Sequence, residues 1–374
     1  MNAMWFGSTL GKGAVVRILY LGTSEGTSGQ RIATLKRMGH AVTVIDPHAG
    51  VPSNKIFGYL EWQLWPELLS ALAQRYVQRR IRDQQFDLVF VDGGSLVSAQ
   101  LLVKLKRICA WSVLFNHDDP FGPRDRTRFK VLRSAAAAYD LFIVVRKPNV
   151  AEAWLAGAKN VMLTVRTADT ISHALRRLDE DEKQHWRSEV SFLGTWMADR
   201  GKFLAELIDA GVPLAIYGNS WNRAPEWSKI RPFWKGPNLE GDDYAKAIQC
   251  SKICIGLLSV ENRDLHTTRS LEIPRLGSLF CAQRTSEHEA LYVDGVEAVF
   301  WSSAEECAAR CRSLLADENL RSQIARQGHE RALRDRHSND QLFLNIWSAL
   351  DAIHSQRIAS GINRKFFDHF TRRI

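Results

Sequence analysis

VSFLGTWMADRGKFLAELIDAGVPLAIYGN, from Val190 to Asn219, is the stretch that decides the fold. VSFLGT (Val190 to Thr195) is a short apolar run closed by small residues, and PLAIYGN (Pro213 to Asn219) is another. Between them lies a helical stretch. Short buried runs separated by helices argue for a parallel sheet with helices on both faces. The alternation continues through KICIGLL (Lys252 to Leu258), SLFCA (Ser278 to Ala282) and AVFW (Ala298 to Trp301). Two long helical stretches follow, Ser303 to Arg334 and Asp340 to Ile358, with a break near His337.

Upstream, the same pattern starts at Val15. RILYLG (Arg17 to Gly22) reads as a strand, followed by a Gly/Ser/Thr loop. The next helix has Ile32, Leu35 and Met38 on one face and Gly39 where it should stop. AVTVID (Ala41 to Asp46), DLVFVD (Asp87 to Asp92), WSVLFN (Trp111 to Asn116), DLFIVV (Asp140 to Val145) and NVMLTV (Asn160 to Val165) are further strand candidates. Arg166 to Glu189 is polar and has no strand-like run. The expected fold is α/β, two Rossmann-like doubly wound parallel-sheet domains facing each other across a cleft. An N-terminal domain spans 14–170, a linker 171–189 and a C-terminal domain 190–340. Residues 341–374 form a helix packing back towards the first domain and a basic tail. Ligands of such sheets bind at the carboxyl ends of the strands.

Composition limits the function. An apolar fraction of 45% and a charged fraction of 24% are those of a globular protein. The net charge of +9 admits phosphorylated substrates, an anionic membrane or nucleic acid. Its even spread argues against nucleic acid, which wants a concentrated stripe. No apolar run approaches the ~18 residues of a membrane span. The leader MNAMWFGSTLGKG has no apolar core like that of a signal peptide. The six Cys form no C-x-x-C pair and have no His cluster at metal spacing; Cys250/Cys254 and Cys307/Cys311 are four apart. Reduced, mostly buried thiols in a cytoplasmic protein are expected.

HTTRSLEIPRLGSLFCA, from His266 to Ala282, is where chemistry concentrates. A helix should begin near Thr267 or Thr268 and end near Gly277. Its first turn offers backbone N–H groups and a positive dipole end, which suit a phosphate. Arg269 lies in that turn, placed to grip a diphosphate bidentately. Glu272 lies one turn on, and a carboxylate accepts hydrogen bonds from both hydroxyls of a ribose.

The stretch resembles the nucleotide-sugar site of the family called glycosyl transferases group 1, and within it the spore-maturation CgeB-like branch. The wider family often carries two Glu separated by seven residues; here Glu272 matches the second, and the first is replaced by Asp264. Glu189 to Trp221 looks like the opening of that family's C-terminal domain. Gly194 and Thr195 close its first strand, and Arg200 and Lys202 stand where related enzymes hold phosphate-binding basic residues. Tyr217, Gly218, Asn219 and Trp221 follow the second strand. WKGPNLEGDDYAKAIQCSKICIGLL resembles the segment that frames the base. The likeness covers Glu189 to His337 well and the N-terminal half loosely. It implies the GT-B fold and a glycosyltransferase of hexosyltransferase type, with His266, Thr267, Thr268, Arg269 and Glu272 at the nucleotide sugar.

In the first half, GTSEGTSG (Gly22 to Gly29) joins the first strand to the first helix. Gly22 and Thr23 let a ligand approach the backbone. The spacing is not G-x-G-x-x-G, which excludes the dinucleotide fingerprint of a dehydrogenase even though Asp46 ends the second strand. FNHDDPFG (Phe115 to Gly122) follows the fourth strand, and CgeB-like proteins have a similar acidic segment. His117, Asp118 or Asp119 can act as the base that an inverting transfer requires.

The expected donor is a nucleoside diphosphate sugar, a UDP-sugar first, with no cofactor and no metal. The acceptor is a glycan, a glycolipid or a protein, as in surface polysaccharide biosynthesis. The basic tail Asn363 to Ile374 mixes Arg and Lys with Phe, a combination suited to an anionic membrane surface. Self-association as a homodimer stays open. A GT-B-like epimerase or phosphorylase, or a silent nucleotide-sugar-binding protein, are the competing readings.

Overall fold

The computed structural model describes residues 15–52, 66–81, 84–125 and 127–359. The N-terminal leader and the basic tail lie outside them. The chain divides into two compact units. The first comprises Met1–Val165, Glu261–Arg263 and Asn339–Ile374, and the second Arg166–Val260 and Asp264–Ser338.

The first unit holds a six-stranded sheet in the order β2-β1-β3-β4-β5-β6, parallel throughout. Its strands are β1 (Arg17–Leu21), β2 (Ala41–Ile45), β3 (Phe86–Asp92), β4 (Cys109–Asn116), β5 (Leu141–Val144) and β6 (Val161–Leu163). Alternate residues face opposite sides. Leu19, Leu21, Val89, Val91, Leu114 and Phe142 join one core cluster. Ile18, Tyr20, Leu88, Phe90, Val113 and Phe115 join another. The helix Asn339–Ala359 packs Leu342, Phe343, Ile346, Trp347 and Leu350 into this second cluster. That is why residues so late in the chain belong to the first unit.

The second unit repeats the design in the order β12-β11-β10-β7-β8-β9. Its strands are β7 (Ser188–Leu193), β8 (Leu214–Tyr217), β9 (Trp234–Gly236), β10 (Ser251–Gly256), β11 (Leu279–Gln283) and β12 (Val299–Trp301). Both faces are again apolar: Val190, Phe192, Ile253, Ile255 and Leu279 line one, and Leu193, Cys254, Phe280 and Ala282 the other. Strands buried on two faces read as continuous apolar runs.

Strand order reverses between β1 and β3 in the first sheet and between β7 and β10 in the second. Such switch points open a crevice at the carboxyl ends of the strands. Glycine keeps both crevices narrow. A Cβ on Gly218, at φ +154, would stand 1.9 Å from the Gly194 carbonyl oxygen. A Cβ on Gly22 would stand 3.0 Å from the Cβ of Asp92.

Two details differ from the sequence reading. β9 is a three-residue strand, Trp-Lys-Gly, with no apolar run to announce it. The helical stretch from Ser303 is split into Ala304–Ala316 and Glu318–Arg334. The break comes at Asp317, whose side chain accepts the Leu320 N–H at 2.9 Å and caps the second helix.

Candidate functional site

In the second unit the site gathers around the ends of β7 and β10. The helix Arg269–Arg275 starts one residue after Thr268 and is followed by Gly277 at φ +78. Its first turn is less open than the sequence implied. The N–H groups of Ser270, Leu271 and Glu272 bond to the carbonyls of Thr267 and Thr268, and the Thr267 N–H bonds to Ser270 Oγ. Among the described residues, the Thr268 and Arg269 N–H groups have no hydrogen-bond acceptor, and with the Arg269 side chain they are the donors this turn can offer an anion.

Arg269 is half-buried and fixed at one point. Its Nε donates to the Leu193 carbonyl, the last of β7, at 2.9 Å, and its guanidinium lies 5.8 Å from the centre of the Tyr244 ring. Among the described residues no acceptor takes a hydrogen bond from either Nη atom. A guanidinium anchored through Nε keeps its outer edge for a bidentate anion.

Glu272 is 4% exposed. Tyr244 Oη donates to Oε2 at 2.5 Å, and His173 Nε2 stands 3.6 Å from Oε1. The His173 ring accepts the Asp169 N–H at Nδ1, so its proton sits on Nε2 and faces the carboxylate. Burial lowers the pKa of His173 and keeps it neutral. Burial also raises Tyr244 well above its ordinary value, and the Glu272 charge adds to the effect. Glu272 thus sits in an enclosed, hydrogen-bonded group, one turn from Arg269.

Asp264, at the place of the family's first Glu, pairs with Arg166 Nη2 at 2.8 Å, both side chains buried. His266 is a structural pin rather than a ligand contact. Its Nε2 accepts the Arg166 N–H at 3.0 Å, so Nδ1 carries the proton and donates to Glu287 at 2.6 Å. Thr267 and Thr268 are half-buried at the helix start.

Other predicted residues fall into place or out of it. Arg200 lies at the switch point but donates to backbone carbonyls, Thr195 at 3.0 Å and Leu258 at 3.3 Å. It ties the ends of β7 and β10, so its charge is present while those donors are engaged. Lys202 is exposed. Tyr217 is half-buried, and burial raises its pKa. Asn219 is exposed, and its side chain and N–H bond reciprocally to those of Asn238 at 3.2 and 3.1 Å. Trp221 corrects the sequence reading. It is 1% exposed, its Nε1 donates to the Gly194 carbonyl at 3.0 Å, and its ring meets Phe192 edge-on. It has no open face on which a base could stack.

In the first unit a cavity of about 190 Å³ opens at the switch point, lined among others by Gly22, Thr23, Asp92, His117, Asp118 and Arg128. Asp92, the last residue of β3, was not singled out as a site residue from the sequence. Its Oδ2 accepts from Tyr20 Oη, Ser28 Oγ (2.6 Å), and Arg31 Nε and Nη2 (2.9 and 2.8 Å). Its Oδ1 is buried and has no hydrogen-bond partner among the described residues. His117 Nδ1 stands 3.9 Å from that oxygen, with the His117 side chain 39% exposed. Two signals were readable: a carboxylate closing an apolar strand, and Arg31 interrupting the apolar face of its helix.

The three candidate bases separate. Asp119 is 2% exposed and accepts from Arg263 at 2.5 and 2.7 Å, from Asn149 at 2.9 Å and from the Gly122 N–H at 2.9 Å. Burial raises its pKa, but Arg263 and Asn149 outweigh that and hold it below the ordinary value. Such a carboxylate holds the loop together and makes a poor proton acceptor. Asp118 is half-buried and pairs with Arg128 at 3.2 Å. His117 is the group with an exposed ring and a buried carboxylate behind it.

Residues 200–346 match a family model described as glycosyl transferase-like. No curated protein sequence matches the chain. Among solved structures, sucrose-phosphate synthase from Thermosynechococcus elongatus superposes with a TM-score of 0.63 at 13% identity, over 92% of this chain and 100% of that one. HepE from Anabaena, solved in complex with UDP and glucose, gives 0.61 at 14%, over 89% and 100%. A glycosyltransferase from Rickettsia africae gives 0.59 at 12%, over 90% and 99%. These likenesses are of fold. With a glycosyl transferase-like stretch over 200–346 and two six-stranded parallel-sheet units of the kind those structures contain, the chain has the GT-B fold.

Proposed function

We propose that this protein is a hexosyltransferase that moves a sugar from a UDP-sugar to a hydroxyl of a surface glycan, glycolipid or protein, within the CgeB-like branch. The observation that carries the reading is Arg269, anchored through Nε with its outer edge unengaged at the carboxyl end of β7. As the donor bond breaks, negative charge builds on the departing diphosphate, and a prepositioned guanidinium stabilises it. Glu272, steadied by Tyr244, takes the ribose hydroxyls. HepE, a protein of the same fold, was solved with UDP and glucose, which supports a UDP-sugar as the first donor to try. No helix among the described residues is long and apolar enough to cross a membrane.

Thermal unfolding against a panel of nucleoside diphosphates and their sugars, followed by assay of UDP release, tests the reading. A ligand that binds only the folded state raises its melting temperature by mass action. No shift with any UDP- or other nucleoside diphosphate sugar would remove the proposal. Isomerised sugar without UDP release would make the protein an epimerase.

Glu272→Ala is expected to weaken UDP binding in a calorimetric titration and to leave the protein folded. Loss of the carboxylate strands the buried Tyr244 hydroxyl, a cost of about 1–3 kcal/mol in stability. Unchanged UDP affinity would confine Glu272 to a structural role.

On the acceptor side, His117 is proposed as the base. Nδ1–H directed at the buried Asp92 carboxylate would leave Nε2 as the proton acceptor. His117→Ala is expected to lower the chemical step about a hundredfold, with UDP affinity unchanged. Asp118→Asn should cost less, because Asp118 is already paired with Arg128. A base here belongs to an inverting transfer, so NMR of the product anomer is the companion measurement. Retained configuration together with full activity of His117→Ala would exclude the role.

A further inference from the structure

Three thiols meet in the core of the second unit. Cys281 lies in β11, while Cys307 and Cys311 lie one turn apart on the helix Ala304–Ala316. Each is 0% exposed, and their sulfur atoms all lie within 4.8 Å of one another. Among the described residues no other group of three His, Cys, Asp or Glu side chains converges in this way. Sequence spacing shows only the pair on the helix. The third thiol is brought in by the fold, because Cys281 points from β11 to the face that carries Val190, Ile253 and Leu279.

We propose that Cys281, Cys307 and Cys311 form a trithiolate site for a soft d10 cation, Zn²⁺ or Cu⁺ in the cell. Thiolates are the ligands that select such ions. Sulfurs about 2.3 Å from a tetrahedral ion stand roughly 3.8 Å apart, so the thiols need close by no more than about 1 Å. Both supporting elements are rigid, and residues four apart on a helix share a face. Binding forms three sulfur–metal bonds and releases three thiol protons to water. A divalent ion then leaves one net negative charge. Arg312, next to Cys311, is the neighbouring cation, and its charge already acts on that thiol. Its Nη1 donates to the Ala210 carbonyl at 2.9 Å, which holds the side chain in place. The ion would bolt β11 to the helix. β11 directly follows the helix that carries Arg269 and Glu272, so the same bolt would stiffen the support of the donor site.

Two of the three other thiols serve as internal controls. Cys250 is half-buried at a helix end and stands outside the cluster. Cys109 belongs to the first unit.

The test uses the full-length chain, reduced, stripped of metal, unfolded and refolded with and without Cd²⁺ as the probe. One equivalent of Cd²⁺ should produce a saturable thiolate-to-cadmium charge-transfer band in the ultraviolet and raise the melting temperature. Cys307→Ala and Cys311→Ala should lose the band, whereas Cys250→Ala should keep it at the same stoichiometry. Cys311→Ser, closer in size to the native residue, serves if an alanine variant does not fold. A wild-type chain that refolds without a band at excess Cd²⁺ overturns the proposal. So does a band of full intensity in folded Cys307→Ala or Cys311→Ser.

Discussion

Arg269→Ala is expected to lower turnover by about 10²- to 10³-fold, the usual cost of removing one preorganised donor to a developing anion. The fold should survive, because the native bond to the Leu193 carbonyl is a single hydrogen bond at a strand end. The loss should fall on the transition state more than on ground-state binding. A guanidinium helps most where charge is growing, so kcat should fall more than KM rises. Ligand size supplies a second axis. Affinity for uridine should be unchanged, while affinity for UDP should drop, since only UDP carries the diphosphate. Arg269→Lys separates charge from geometry. Lysine keeps the charge but not the planar fork, and an ammonium cannot hold the Leu193 carbonyl and two phosphate oxygens in one plane. It should recover only a small part of the activity. An equal loss of affinity for uridine and UDP would identify Arg269 as a strut between its helix and β7.

The legible and the illegible parts of this protein divide along sequence distance. Local signals read well. Val190 to Thr195 and Pro213 to Asn219 are apolar because both faces of a parallel strand are covered, and they are β7 and β8. The helix beginning after Thr268 and ending before Gly277 is written in its own few residues. β9 escaped because an edge strand with two exposed residues needs no apolar pattern. The Asp317 break escaped because a side-chain cap outweighed a helical periodicity on both sides of it.

Site residues divide in the same way. Arg269 and Glu272 could be named from one helix, but the Tyr244 bond that encloses Glu272 comes from a helix well upstream. Trp221 follows a strand, a place from which an indole can face a ligand. Its indole N–H finds the Gly194 carbonyl instead, and that partner lies in another loop. Asp119 was indistinguishable from its neighbours in FNHDDPFG until Arg263 and Asn149 were brought to it. The Cys281 thiol likewise meets Cys307 and Cys311 only through the fold.

Asp92→Ala is expected to destabilise the first unit by about 3–5 kcal/mol, the cost of breaking a buried ion pair by removing one partner. The Asp92 and Arg31 side chains are 1% and 5% exposed. Without the carboxylate, Arg31 keeps its charge in an apolar face, and the Ser28 and Tyr20 hydroxyls lose an acceptor. Asp92→Asn is the sharper probe because it keeps the shape and one acceptor oxygen while discarding the charge. The pH dependence follows from the direction of the shift. Burial pushes the Asp92 carboxyl up, but Arg31, His117 and the hydrogen bonds from Ser28 and Tyr20 prevail and hold it below its usual 3.8. A depressed folded-state value adds stability above the unfolded-state pKa, and that stability is lost as pH falls through the folded-state value. The gap between wild type and Asp92→Asn in urea unfolding should therefore be full at neutral pH. It should begin to narrow below about pH 4. Other carboxylates also protonate there, but they do so in both proteins and cancel in the difference. Asp92→Asn as stable as wild type at pH 7 would mean that Arg31 finds another counter-charge, and the buried pair would then owe its place to the cavity beside it. Activity of that same variant completes the argument. A loss of turnover larger than the loss of folded protein would show that the carboxylate acts on His117 as well as on the fold.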